Sequence, residues 1–203
     1  MLASRWGAVV LLASCVALYL YAHHSYRGAL VAALVALPFW LKCRKHLNRA
    51  GMQGVGAKSE RLVARALKRT GAYYVINNAT IPGARGGDAD HVALTPRGIA
   101  IVETKSGGGQ VRLTNDGRIA TGSRGRTIPG DPIAQVLAQA GALNRMTGLR
   151  ITPVVCIPYM SNRAFYAGGV TVCSARGLAG VMAGMGGALT EAQAVRWARQ
   201  LRC

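Results

Sequence analysis

Acidic side chains are what this sequence has least of. Seven Asp and Glu stand against 25 Lys and Arg, a formal net charge of +18 over 203 residues. A chain so poor in acid cannot balance its own surface, and the excess points to polyanionic partners, nucleic acid or the anionic face of a membrane. Metal-binding cysteine pairs are also missing. The five cysteines, Cys15, Cys43, Cys156, Cys173 and Cys203, form no CxxC and no zinc spacing. Their odd number and wide separation exclude a disulfide framework and fit a reducing compartment. No internal repeat is visible.

Long apolar runs are present, and both lie in the first fifty residues. "WGAVVLLASCVALYLYA", residues 6–22, holds no charge, and a helix of that length rises about 1.5 Å per residue, enough to cross most of a hydrocarbon core of about 30 Å. A second run, "GALVAALVALPFWL", spans residues 28–41 after the polar link "HHSYR". A cleaved signal peptide would need a small-residue cleavage site, which "AHHSY" does not offer. A soluble helical pair would need a polar face, and neither run has one. The remaining reading is a transmembrane hairpin through residues 6–41. "KCRKHLNR" places Lys42, Arg44, Lys45 and Arg49 directly after it, so the positive-inside rule puts the rest of the chain in the cytoplasm, on the inner membrane. Residues 1–50 are thus expected to form the anchor with its basic flank, and residues 51–203 the soluble domain.

The soluble part opens with the Gly-rich "GMQGVGAKSE", residues 51–60, which reads as a separator. "SERLVARALKRTG" then predicts an amphipathic helix stopped by Gly71. Glu60 stands at the start of that helix, where a carboxylate suits the helix dipole, so a capping role and a site role are equally open to it. Strands are expected in "AYYVINNA", "DADHVAL" and "IAIVETK", the last two joined by the turn "TPRG". A Gly- and Arg-rich hairpin and loop follow, turning at Asp116-Gly117. Asp131-Pro132 opens a helix that carries Gln135 and Gln139 on one face. Strands "ITPVVCIP" and "GVTVCS", a helix in "ARGLAGVMAGM" and a last helix boxed by Thr190 and Gln193 complete the order. The fold class is α/β, a mixed sheet flanked by helices.

Three of the seven acids fall within sixteen residues of "GDADHVALTPRGIAIVETKS", residues 87–106. Side chains two apart on a strand share a face, so Asp88 pairs with Asp90 and Glu103 with Lys105. If the two strands form a hairpin, both pairs converge at one end of the sheet. Close carboxylates repel each other, and a divalent cation resolves the repulsion. Mg²⁺, or Mn²⁺ in its place, takes oxygen ligands and accepts one or two carboxylates together with a phosphate oxygen. Such an ion lowers the pKa of a bound water and neutralises charge on a phosphodiester, and Lys105 beside it could orient the water or stabilise the transition state. Arg85, Arg97, Arg112, Arg124 and Arg126 lie in loops expected near this site and are candidate phosphate contacts. His91 points to the opposite face and reads as packing, as do Tyr73 and Tyr74.

The passages "GVGAKSERLVARAL", "DADHVALTPRGIAIVETKSGGGQV", "DGRI" and "PGDPIAQV" together resemble the nuclease-related domain (NERD) family of the PD-(D/E)xK, restriction-endonuclease-like superfamily. The resemblance runs from residue 54 to about 143. It implies a restriction-endonuclease-like sheet over residues 51–203 and a metal-dependent nuclease. Glu60 matches the acid of the family's first helix, Asp90 the metal-binding Asp, and Asp88 its acidic neighbour. Glu103 and Lys105 match the ExK pair, with the Thr104 carbonyl as a further metal contact, and Gln135 matches the glutamine that looks toward the site. The sequence departs from the family at Lys58-Ser59, at Ala89 and at Ser106 with its three following glycines, which touches the shape of the site more than its ligands. The implied partner is nucleic acid, DNA in preference to RNA, cut by a monomer or a homodimer. The competing readings are a non-catalytic nucleic-acid tether that keeps the fold, and a membrane scaffold whose basic face lies on anionic lipid.

Overall fold

The computed structural model describes residues 54–84, 87–122 and 125–201, with isolated positions between 15 and 44. The chain divides into two compact units, Met1–Val55 and Gly56–Cys203. The described positions of the first unit are helical around residues 15–22 and 37–44. Among the described residues no helix is long and apolar enough to cross a membrane, and most of the expected hairpin, residues 6–41, lies outside them.

In the second unit a six-stranded mixed sheet forms the middle layer. Its strands are β1 (Tyr74–Ala79), β2 (Ala89–Thr95), β3 (Gly98–Thr104), β8 (Ile151–Cys156), β10 (Phe165–Ala167) and β11 (Val170–Cys173), in the spatial order β1-β2-β3-β8-β11-β10. β2 and β3 form an antiparallel hairpin across the Pro96-Arg97 turn, while β3, β8 and β11 run parallel. Every residue of β3 is buried. This is what the apolar run "GIAIV" requires of a strand covered on both faces.

The two-residue period of the strands then assigns each side chain to a layer. Ile99 and Ile101 of β3, with Val92 and Leu94 of β2, face one core. Helix α2 (Pro132–Thr147) covers it with Val136, Ala140 and Leu143, and α4 (Glu191–Gln200) covers it with Ala194, Trp197 and Ala198. Ala100, Val102 and Ala93 face the other core, covered by Val63 and Leu67 of helix α1 (54–68) and by Leu178 and Met182 of α3 (Leu178–Ala183). The free thiols Cys156 and Cys173 sit side by side in this second core, buried, as small apolar residues. Carried one step past the last paired residues, the same parity puts Asp90, Glu103 and Lys105 on the α2 side.

The helix ends follow the local chemistry. Asp131 caps α2, its Oδ1 accepting the Ala134 N–H at 3.0 Å, and Pro132 follows where no donor is needed. Thr190 and Gln193 form the expected capping box of α4.

The structure departs from the expected elements in four places. Helix α1 is already formed at residue 54, the first described residue of the Gly-rich passage expected to be a separator. Each glycine costs a helix about 1 kcal/mol, but extending one that is already nucleated and packed by Val63 and Leu67 is cooperative. Glu60 therefore lies nearly two turns into the helix, and a role at its N-terminus is overturned. The Arg-rich stretch after β3 holds more than one hairpin. It forms a three-stranded sheet of β5 (Val111–Leu113), β6 (Ile119–Thr121) and β7 (Arg126–Thr127), in addition to β4 (Gly108–Gly109), which pairs with β9 (Tyr159–Met160). β10 pairs with β11 around Gly168-Gly169, both at positive φ, a two-residue turn that only glycine adopts without strain. Finally, α3 covers only Leu178–Ala183 of its expected segment, ending at Gly184.

Candidate active site at the end of the central hairpin

The last paired residues of the hairpin at this end are His91 and Val102. One step beyond them Asp90 and Glu103 come opposite each other, where Cβ atoms on neighbouring strands are about 4.5–5.5 Å apart. Asp90 is fixed by the main chain of the partner strand, its Oδ2 accepting the Thr104 N–H at 2.7 Å. Glu103 is only 2% exposed, and its Oε1 lies 2.7 Å from Lys105 Nζ. Lys105 also donates to Gln135 Oε1 at 3.3 Å, so helix α2 supplies the wall of the site. The other oxygen of Glu103, Oε2, is buried with no hydrogen-bond partner.

The electrostatics follow from this crowding. Burial pushes the Glu103 carboxyl above the ordinary carboxylate range and the Asp90 charge adds to the push, while hydrogen bonds from Lys105 and Gln135 and the Lys105 charge oppose it. Asp90 is raised by burial, against the pull of the Thr104 N–H and Lys105. Glu60, on α1, is raised by burial and by Asp90. The Asp90 charge thus acts on both Glu60 and Glu103, and the Lys105 charge acts on Asp90 and Glu103.

A divalent cation fits this donor set. Glu103 presents a buried, unpartnered oxygen, and Asp90 has one oxygen held and the other left for a ligand. Among the described residues no group of three or more His, Cys, Asp or Glu is gathered to hold a metal ion. A pair of carboxylates completed by main-chain, water and phosphate oxygens is the arrangement Mg²⁺ accepts.

Asp88 does not join them. It precedes β2, is exposed, and its Oδ1 accepts the Thr80 hydroxyl at 3.0 Å. The expected same-face pairing with Asp90 fails because residue 88 lies outside the strand, after Gly87 at φ 86°. Thr104 contributes its N–H to Asp90, while its side-chain hydroxyl is buried without a partner. His91 packs on the opposite face as expected, with Nδ1 2.8 Å from Asn77 Oδ1. Tyr74 packs against the core, whereas Tyr73 is exposed.

The arginines separate. Arg97 lies in the β2–β3 turn, six residues before Glu103, which along a strand is about 20 Å. It lines a cavity of about 470 Å³ with Arg150 and Tyr166 at the far end of the sheet. Its expected place near the acids is corrected, because the hairpin carries turn and acids to opposite ends. Arg112 and Arg126 stand on β5 and β7. That small sheet reaches the site through Thr121, the partner of Arg126, whose Cγ2 is 3.4 Å from where a Cβ on Gly107 would be. Arg85 and Arg124 lie outside the described residues.

One residue had no role in the sequence reading. Gln139 is fully buried on α2 and donates to the carbonyls of Asp88 at 3.3 Å and Gly87 at 3.5 Å, anchoring the lead into Asp90. Its signal was present in the four-residue spacing from Gln135.

A mixed sheet flanked by helices, with an acid pair and a lysine at one end of its central hairpin, defines a nuclease-like α/β protein. The family model of the nuclease-related domain, NERD, matches residues 55–158, just over half of the chain, and the chain belongs to that family. No curated protein and no solved structure matches it.

Proposed function

We propose that this protein is a membrane-anchored, Mg²⁺- or Mn²⁺-dependent nuclease that hydrolyses phosphodiester bonds of cytoplasmic nucleic acid, DNA in preference to RNA. The observation that carries the reading is the buried, unpartnered Glu103 Oε2 beside Asp90, with Lys105 held by Glu103 and Gln135. Asp90 and Glu103 would hold the metal, with the Thr104 carbonyl as a further ligand. When bound, the ion neutralises charge on the scissile phosphate and lowers the pKa of a bound water. Lys105, kept in place by Glu103 Oε1 and Gln135 Oε1, directs its remaining protons toward the attacking water and the charge that develops on phosphorus-bound oxygen. Glu60 adds negative charge beside Asp90, strengthening the demand for a cation. Arg112 and Arg126 guide the polyanion from the small sheet.

Anchoring is supported by the two uncharged runs and the basic flank after them. The exposed Leu18, Tyr19, Tyr21, Leu37, Trp40 and Leu41 in the described part of this region supply apolar surface that lipid would cover. That orientation places residues 51–203 in the cytoplasm on the inner membrane. Cutting both strands of a duplex with one site each calls for two copies.

The test is incubation of the full chain in non-ionic detergent with plasmid, linear duplex, single-stranded DNA and RNA, in Mg²⁺, Mn²⁺ or EDTA. Asp90→Ala and Lys105→Ala are run beside it. Metal-dependent cleavage lost in both variants is expected. Tight binding without cleavage, unchanged by either substitution, would leave a basic tether on a nuclease-like fold.

A further inference from the structure

Helices α1 and α3 cover the same face of the sheet but leave a groove between them. Leu62, Arg65 and Ala66 of α1 with Arg69 of the turn after it form one wall, and Ala175, Arg176 and Ala179 the other, with Pro158 and Tyr159 on the floor, enclosing about 470 Å³. Arg65, Arg69 and Arg176 are exposed, and among the described residues none of their guanidinium groups makes a hydrogen bond or ion pair. No Asp or Glu lines the groove. Tyr159 is 52% exposed, far above what packing requires of an aromatic ring.

The groove opens on the α1–α3 face, at the same end of the sheet as the candidate active site, because Tyr159 follows β8, whose Cys156 pairs with Thr104. Tyr159 pairs with Gly108, three residues after Lys105, and its Cβ would be 2.9 Å from a Cβ there, so glycine is what lets the two backbones meet. At the other wall, α1 is the helix that carries Glu60.

We infer that this groove binds a single strand of nucleic acid, holding nucleotides adjacent to the scissile phosphate. The inference rests on the nuclease reading proposed above. Its logic is charge and shape together. Three unpaired guanidinium groups around an apolar floor suit successive phosphates, and an exposed ring at the floor suits the face of a base. A positively charged groove with an aromatic platform is how single strands are held without sequence preference. A lipid surface, in contrast, is flat at this scale and would not enter a concavity of one or two nucleotides. Duplex DNA keeps its bases stacked and cannot present a face to Tyr159.

The experiment uses the full chain in non-ionic detergent with EDTA, so that no cutting occurs. Binding of a fluorescent 20-nucleotide single strand and of a duplex of equal length is followed by anisotropy against salt. The variants are Arg65→Gln/Arg69→Gln/Arg176→Gln, the matching triple lysine variant, and Tyr159→Ala. The triple glutamine variant should bind the single strand at least about tenfold more weakly, with a log–log salt slope reduced by about 2, while the lysine variant stays near wild type. Tyr159→Ala should lose about tenfold on the single strand and leave the duplex unchanged. All these residues are surface-exposed, and matched melting curves exclude misfolding.

Wild-type affinity and salt slope in the glutamine variant would overturn the groove. So would loss of affinity for phosphatidylglycerol vesicles with oligonucleotide binding intact, which would assign the arginines to lipid. Metal-dependent cleavage by wild type, lost in Asp90→Ala, would in either case leave the nuclease reading standing. A wild type that neither binds nor cuts nucleic acid overturns both.

Discussion

Replacing Lys105 by alanine removes the ammonium 2.7 Å from a carboxylate that is 2% exposed, whereas Lys105 itself is 24% exposed. Breaking a fully buried pair by deleting one partner costs about 3–5 kcal/mol. Here Gln135 remains and Lys105 is partly open to water, so the expected cost is about 2 kcal/mol at pH 7, in the range for a buried polar group left without its partner. The sign of the pH dependence follows from Glu103, whose carboxyl is raised above its ordinary 4.5 by burial first, with Lys105 among the groups opposing the rise. Within the raised window the folded protein keeps a proton that the unfolded chain has released, so stability falls as pH rises through it. Without Lys105 the window extends further upward. The loss should therefore be small at pH 4, below the raised range of Glu103, and larger at pH 7. Thermal unfolding in EDTA reads it as a drop of about 4–8 °C at pH 7 for a unit of this size. Lys105→Ala/Glu103→Gln should recover most of the loss, giving a coupling of about 2 kcal/mol. Equal losses at pH 4 and pH 7, or an additive cycle, would refute the claim that Lys105 keeps Glu103 charged in a dry site.

Adding Mg²⁺ at about one hundred times its Kd should stabilise the wild type by about 2.7 kcal/mol. Asp90→Asn and Glu103→Gln should abolish that gain in a melting assay, while Asp88→Asn, whose carboxylate is bound to Thr80, should keep it. His91, lowered by burial to about 4, refuses a proton that the unfolded chain takes up near 6.5. Stability is then full above pH 6.5 and falls by about 3 kcal/mol as the pH drops to 4, and urea midpoints of His91→Gln should lack that component. Gln139→Ala should cost about 1 kcal/mol by removing its hydrogen bonds to the Gly87 and Asp88 carbonyls. Amide exchange at residues 87–90 should accelerate in that variant, because the lead into Asp90 loses its anchor.

The hairpin and its acids were legible because two signals agreed. The apolar run before Glu103 demanded a central strand, and the "TPRG" turn fixed the register that sets Asp90 against Glu103. Caps were legible for the same local reason, as at Asp131 and Thr190. Features that depend on tertiary packing were not. Helix α1 extends over glycines only because Val63 and Leu67 are packed below it. Asp88 leaves its expected face because the strand begins one residue later. Arg97 sits between Pro96 and Gly98 in a turn that looks like any loop near the site, yet the hairpin puts it at the far end.

The scarcity of acid gains its meaning from where the acids are. Asp131 caps α2, Glu191 sits in the first turn of α4, Asp116 is bonded to the Thr114 hydroxyl at its turn, and Asp88 is bonded to Thr80. Glu60, Asp90 and Glu103 make up the candidate site. All seven are thereby engaged in local structure or in that site. The Lys105–Glu103 ion pair is inside the site and not on the surface. Among the described residues Arg65, Arg69 and Arg176 are thus left without an acidic partner, and their field extends into solvent within the screening length of about 8 Å at physiological salt. A polyanion meets attraction everywhere except at one end of the central hairpin. There, on the proposed function, the carboxylates would repel its phosphates until a cation neutralised them. On this reading affinity belongs to the arginines and should fall steeply with salt, while cleavage belongs to the metal and should not. The two dependences can be separated on the same protein by titrating salt at fixed Mg²⁺ with the polymer saturating.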